Sequence, residues 1–370
     1  MDLLNSNYII DGVQMNLTPA QMLRECMSEP PLEPEGDKET LADESKDPAP
    51  DKHGYDERKA LQYAQKVEAL QKRSLPVAFA APYTAGKVAQ ALIDAIWQGG
   101  HFRLGDLSLK ADWKWNGKEI GLPAAFYASV ESACDYIDAL GVKIRKYSLT
   151  GGDPAVGFKA VTAAGEEADE DLPEEETLLR DLPSRKARLS RRRKVAPTLQ
   201  PEESDWLLFI PFDPCDFRLG GSALAQALGT SPSTAPDIQD ADYFMDCFEV
   251  VRELVEDGVV KAGATVGEGG LLCALRAMAV GCGADICIRD ISKAYGDEKP
   301  VRVLFGEVPG VIIQIADIDY DYVDAELILE DVVYYPIGHP LPGKSGVRIT
   351  EKVDLPQILE SLLNTLEGED

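Results

Sequence analysis

The chain has 370 residues, is 45% hydrophobic and carries a formal net charge of −27. That length holds two domains with cores of their own, and the charge repels nucleic-acid phosphates, which excludes generic DNA or RNA binding. No run of 18 apolar residues occurs, so no membrane-spanning helix is expected; the opening MDLLNSNYIIDG lacks the basic and apolar regions of a secretory signal.

In chain order, Thr18-Pro19 reads as an N-cap followed by proline at the first helical position, with Leu17, Met22 and Leu23 apolar. Residues 28–56 are rich in Pro, Glu, Asp and Lys and read as a solvated linker. Leu61, Ala64, Val67 and Leu70 predict a helix over 56–72, and Val88, Leu92, Ala95 and Ile96 predict another over 85–97. The alternation at 107–113 predicts a strand. Phe126, Val130, Ala133, Ile137 and Leu140 predict a helix over 122–140, closed by Gly141. Residues 165–204 join an acidic block (166–176) to a basic one (185–194). They read as a flexible charged loop, the alternative being an anion- or partner-binding tail. Beyond it come a buried strand from Trp206, helices at 222–228, 241–255 and 271–280, strands at 285–288 and 310–315, an acidic helix at 322–329 and a last run at 332–337. This alternation argues for an α/β or α+β layer fold.

Seven cysteines with no CxxC pair suit a reducing cytoplasm, with Cys273, Cys282 and Cys287 as small buried hydrophobes. His53, His101 and His339 have no zinc-site spacing.

Three Gly-rich segments have the chemistry of ligand sites. In Leu219-Gly220-Gly221-Ser222, a glycine pair before a helix lets backbone N–H groups approach a phosphate; a capped turn is the structural alternative. In Gly267-Glu268-Gly269-Gly270, a second pair stands at a helix start, and Glu268 is either a magnesium ligand or a partner of the helix dipole. In Gly306-Glu307-Val308-Pro309-Gly310, Glu307 is either a ligand or part of a turn between core elements.

Taken together, LGGSALAQ at 219–226, LFGEVPG at 304–310 and Ile337-Gly338-His339 resemble, in order, the AIR synthase-related superfamily. Within it they are most similar to the C-terminal half of the large formylglycinamide ribonucleotide amidotransferases, or phosphoribosylformylglycinamidine synthases. Weaker similarity covers Gln90–Asp94, Lys110–Trp113 and Ala139–Gly141. The resemblance implies a PurM-like two-domain α/β (α+β) architecture. It divides the chain into an N-terminal extension with acidic linker (1–75), a partial N-terminal domain (76–164), the charged loop (165–204), a C-terminal domain (205–350) and a C-terminal helix with acidic tail (351–370). It implies an ATP- and Mg²⁺-dependent amidine-forming ligase of purine synthesis. Gly220, Gly221, Ser222, Gly269 and Gly270 would hold nucleotide phosphate or another phosphorylated small molecule, and Asp112, Glu268 and Glu307 would hold the metal. It also implies pairing, as a homodimer or with a fuller ligase or glutaminase subunit.

The departures motivate a second expectation. The superfamily's HDxSDGG motif has its metal-binding Asp at Thr265 and its His at Ala264; its EALTN motif has Gln90 and Asp94 at the ends; its GKDS loop is not kept near 146–149. A hydroxyl does not replace a carboxylate on Mg²⁺. No glutaminase domain or second catalytic half is expected in these residues. They therefore also fit a catalytically impaired relative, acting as a nucleotide-binding or assembly subunit. No catalytic residue is assigned.

Overall fold

A computed structural model of the protein describes residues 2–27, 57–70, 73, 75–100, 102–117, 121–162, 192–230, 232, 234–296 and 298–350. The linker 28–56, the acidic block, most of the basic block and the tail 351–370 lie outside the described residues.

The N-terminal part begins with a two-residue hairpin, β1 (Ile9–Ile10) and β2 (Val13–Gln14), then α1 (Pro19–Met27). Its centre is β3 (Leu107–Trp115), which pairs in parallel with β4 (Lys143–Gly151) and antiparallel with β5 (Ala155–Thr162). A parallel pair needs a crossover, and α4 (Leu122–Ala139) supplies it. The period-2 alternation of β3 puts Leu107, Leu109, Ala111, Trp113 and Trp115 in the core with α4 and α3 (Ala80–Ile96), and leaves Asp112 and Lys114 exposed. The predicted strand was right as far as it went. β4 and β5 were not foreseen: β4 is mostly polar and has no alternation, and in β5 the alternating Val156, Phe158 and Ala160 are only partly buried.

The C-terminal part is a six-stranded mixed sheet, whose strands in chain order are β6 (Trp206–Pro211), β7 (Val260–Val266), β8 (Gly283–Ile286), β9 (Gly310–Ile315), β10 (Tyr335–Leu341) and β11 (Val347–Ile349). Their spatial order is β11-β8-β10-β6-β9-β7, with only β11 and β8 parallel. Every residue of β9 is buried, because both faces of the sheet are covered. On one face Ile210, Val311 and Ile313 share a core with α3 and α6 (Ala241–Glu256). On the other, Phe209 and Ile312 pack with α5 (Ala223–Leu228), α7 (Gly270–Met278) and α9 (Pro300–Phe305). The remaining helices are α8 (Arg289–Ala294) and α10 (Tyr320–Leu329). The α/β reading stands.

The described residues of the expected N-terminal extension pack on the body: α1 packs on α4, and α2 (Glu57–Glu68) packs through Ala60 and Ala64 into the second core beside α5 and α7. Arg276 on α7 is paired with Glu68 at 2.6 Å. The end of the charged loop is also packed. Val195 and Leu199 are buried, Ala196 bridges Ala262 of β7, and the Arg193 guanidinium lies 5.4 Å from the Trp97 ring centroid. Two apolar anchors and a cation–π contact outweigh the solvation that the charge run suggested.

Candidate functional site

One residue or more of each of the three Gly-rich segments lines a single cleft between α3 and the C-terminal part. Gly220, Gly221, Ser222, Glu268 and Glu307 line it together with Arg73, Tyr83, Lys87 and Gln90. Ser222 caps α5, its hydroxyl accepting from Ala225 N–H at 3.2 Å. Gly269 (φ +81°) and Gly270 (φ +68°) turn the chain into α7. A Cβ on Gly270 would stand 2.7 Å from Leu304 O, and one on Gly220 would stand 2.3 Å from Thr234 O. These glycines are required by close approach of the protein's own backbone.

Glu307 lies between α9 and β9, where it reaches both helix starts. Its Oε1 accepts from Ala223 N–H and from Gly269 N–H, each at 2.8 Å, and its Oε2 accepts from Arg73 Nη2 at 2.5 Å. The carboxylate thus takes the place an anion would hold at the starts of α5 and α7. Arg73 also donates to Gly221 O at 3.0 Å, tying the first glycine turn to the same node. Glu268 accepts from Tyr83 OH at 3.1 Å, is ion-paired with Lys87, and lies 3.5 Å from Arg73 Nη1.

The charges are uneven. Arg73 has a side chain 9% exposed, and its Nε and Nη1 lack hydrogen-bond partners. Burial opposes its charge, but Glu307 and Glu268 outweigh that and hold its pKa above the ordinary value. Burial likewise pushes Glu268 up, yet Lys87 and Arg73 hold it below 4.5. Burial keeps the Tyr83 phenol protonated.

Pro76 and Phe79 lie over the turn at Gly221, where a Cβ would come within 2.8 Å of Pro76 Cγ. The space left in the cleft is about 30 Å³. That admits about one or two waters, whereas small-molecule pockets run to several hundred Å³.

The expected metal triad is not assembled. Asp112 lies on the exposed face of β3, where it accepts from Ser148 Oγ at 2.5 Å, and it does not line the cleft. Both oxygens of Glu307 are engaged, and Glu268 is neutralised by cations. Among the described residues, no group of three His, Cys, Asp or Glu side chains is disposed to hold a metal. The cleft as it stands does not fit Mg²⁺.

A second polar cluster uses the substituted positions. Thr265 Oγ1 donates to Asp94 Oδ1 at 2.5 Å and accepts from Trp97 Nε1 at 2.8 Å. Asp94 is open to water on one side. The protein crowding its other sides raises its pKa, opposed by the Thr265 hydrogen bond and by Arg193 and Lys87.

Residues 212–350 match the family model of the AIR synthase related protein, C-terminal domain. That segment of the chain is an AIR synthase-related C-terminal domain. It is similar to the phosphoribosylformylglycinamidine synthase of Drosophila melanogaster, with 27% identity over 251 residues, covering 64% of this chain and 17% of that one. The human phosphoribosylformylglycinamidine synthase is 28% identical over 219 residues, covering 58% and 15%. The chain thus spans about a sixth of the length of these curated relatives. Among solved structures, Thermotoga maritima PurL complexed with FGAR superposes with a TM-score of 0.54 at 13% identity, over 76% of this chain and 42% of that one. This likeness establishes the AIR synthase-like fold. In that fold the cleft residues that the sequence reading missed are Arg73, Tyr83 and Lys87. Tyr83 and Lys87 stand at i,i+4 on α3, a spacing visible in the sequence; Arg73 stands in a stretch without periodicity.

Proposed function

We propose that this chain is a phosphoribosylformylglycinamidine synthase-like protein that serves as a subunit recognising a phosphorylated small molecule, and does not by itself carry out the Mg²⁺- and ATP-dependent ligation. The observation that carries the reading is the double role of Glu307, which fills both helix N-termini and pairs with Arg73. In a metal-dependent ligase, carboxylates neutralise Mg²⁺ and backbone N–H groups meet phosphate. Here each set is bonded to the other. Thr265, where the family's metal carboxylate is expected, is spent on Asp94 and Trp97.

The Arg73 Nε and Nη1 donors and the Lys87 ammonium remain the groups suited to an incoming phosphate, with Pro76 and Phe79 displaced to make room. Arg73 would donate to the phosphate oxygens and Lys87 would supply a point charge. ATP and other nucleotides fall within this ligand class, and so does the FGAR of the PurL complex. A fuller ligase or glutaminase subunit, or a second copy of this chain, is the partner that the reading calls for. The reducing cytoplasm is the compartment that seven unbonded cysteines support.

The test is turnover by the purified chain alone, supplied with formylglycinamide ribonucleotide, ATP, Mg²⁺ and ammonium. No amidine product above the enzyme-free rate is expected, while equilibrium dialysis detects phosphorylated ligand bound with a salt-sensitive affinity that Arg73→Ala abolishes. Amidine formation by the chain alone would overturn the reading.

A further inference from the structure

A separate cavity of about 430 Å³ opens between α1 and α4, on a different part of the N-terminal unit from the cleft. Two of the chain's cysteines line it: Cys26 at the end of α1, 5% exposed, and Cys134 in the middle of α4, 7% exposed. Their thiols lie within hydrogen-bonding reach of each other, and that contact is the largest influence on Cys134, which is held protonated. The lining also includes Glu25, Glu131, Asp135 and Asp138, and no lysine or arginine.

We infer that Cys26 and Cys134 form an oxidisable dithiol, a modification site closed to an intramolecular disulfide by small disulfide oxidants, cationic ones in preference to anionic ones. The geometry supplies three requirements. The two thiols line one cavity between packed helices and lie within hydrogen-bonding reach of each other, the closeness an S–S bond requires. The cavity admits a small oxidant to otherwise buried thiols. The acidic lining concentrates a positively charged oxidant and repels a negatively charged one.

The chemistry is thiol–disulfide exchange. The thiolate of one cysteine attacks one sulfur of the oxidant, whose S–S bond breaks; one half leaves as a thiol and a mixed disulfide forms on that cysteine. The sulfur of the other cysteine then attacks the first one's Sγ and expels the second half as a thiol. Two protein thiols are oxidised by two electrons, the oxidant disulfide is reduced to two thiols, and both protons leave on them. The product would link α1 to α4, which packs along α3, the helix that carries Tyr83 and Lys87.

The experiment treats the folded full chain with cystamine, a cationic disulfide, or with oxidised glutathione, an anionic one. Thiols are then counted after denaturation and linked peptides are mapped. The count is expected to fall from the seven of the sequence to five, the difference of two being the Cys26–Cys134 link. Cystamine should react about tenfold faster than oxidised glutathione, the ratio shrinking with added salt. Cys26→Ser and Cys134→Ser, checked for native circular dichroism, should each lose the internal link, the oxidant's half being trapped on the cysteine that remains. A count that stays at seven, a link mapped to another cysteine pair, or faster reaction with oxidised glutathione would overturn the inference; the wild-type result decides it even where a variant fails to fold.

Discussion

Replacing Glu307 is the sharpest perturbation of the cleft. Glu307→Ala removes the acceptor of two backbone N–H groups and the closest partner of Arg73, whose side chain is 9% exposed. Removing one partner of a buried pair costs about 3–5 kcal/mol, and the lower end applies here because Glu268 remains 3.5 Å from Arg73 Nη1. The two N–H groups add to that cost only to the extent that water fails to reach them, so about 3 kcal/mol is the central expectation. Glu307→Gln keeps an acceptor and loses the charge, and should cost about half as much. In the double variant Glu307→Gln/Arg73→Met the cation is removed together with its closest partner. It should therefore be more stable than the sum of its single variants predicts, by about 1–3 kcal/mol. Urea unfolding followed by tryptophan fluorescence and far-UV circular dichroism measures all three. If Glu307→Ala stays within about 1 kcal/mol of wild type, a range ordinary for surface changes, the node is not what holds the two helix starts together.

Further outcomes follow from the same contacts. Gly270→Ala meets backbone at 2.7 Å with φ at +68°, whereas Gly229→Ala at φ +64° meets open space; thermal unfolding should show about 1 kcal/mol lost at Gly229 and clearly more at Gly270. Thr265→Val removes the hydroxyl between Trp97 and Asp94 and should cost about 1–2 kcal/mol in urea, with a change in the Trp97 emission. Glu268 has its folded pKa depressed below 4.5, so its ion pairs stabilise the fold above that pH, and the contribution disappears as pH falls through the folded value. The stability gap between wild type and Glu268→Gln should therefore be present at pH 7 and vanish in acid. It should be under about 1 kcal/mol, because the side chain is 41% exposed; a gap that widens in acid would contradict the pairing.

Much of the fold was legible because local patterns coincide with burial. Val88, Leu92 and Ile96 line one face of α3, Phe126 and Ile137 one face of α4, and the alternation of β3 matches its two faces. The site was legible in its parts and not in its connections. Gly269 and Gly270 do not line the cleft, whereas Gly220, Gly221, Ser222, Glu268 and Glu307 line it together. Their meaning depended on Arg73, which is 234 positions from Glu307 and carries no local signal. Without the cations, two carboxylates beside glycine turns read as metal ligands; with them, the carboxylates are the anions of an internal network. Asp112 misled for a different reason. The outward face of β3 gives it exposure, and sequence spacing says nothing of which surface a strand presents to the cleft. Val260–Val266 was assigned to no element, and pairing with β9 makes it an edge strand of the sheet.

The central claim is that the carboxylates of this cleft are committed to Arg73, Lys87 and the helix starts and not to a metal. Isothermal titration of the chain with ATP, with and without Mg²⁺, tests it most directly. The account predicts that Mg²⁺ leaves the affinity unchanged or weakens it by competing for the nucleotide's phosphates. Binding that appears only with Mg²⁺, and that Glu307→Gln abolishes, would contradict it.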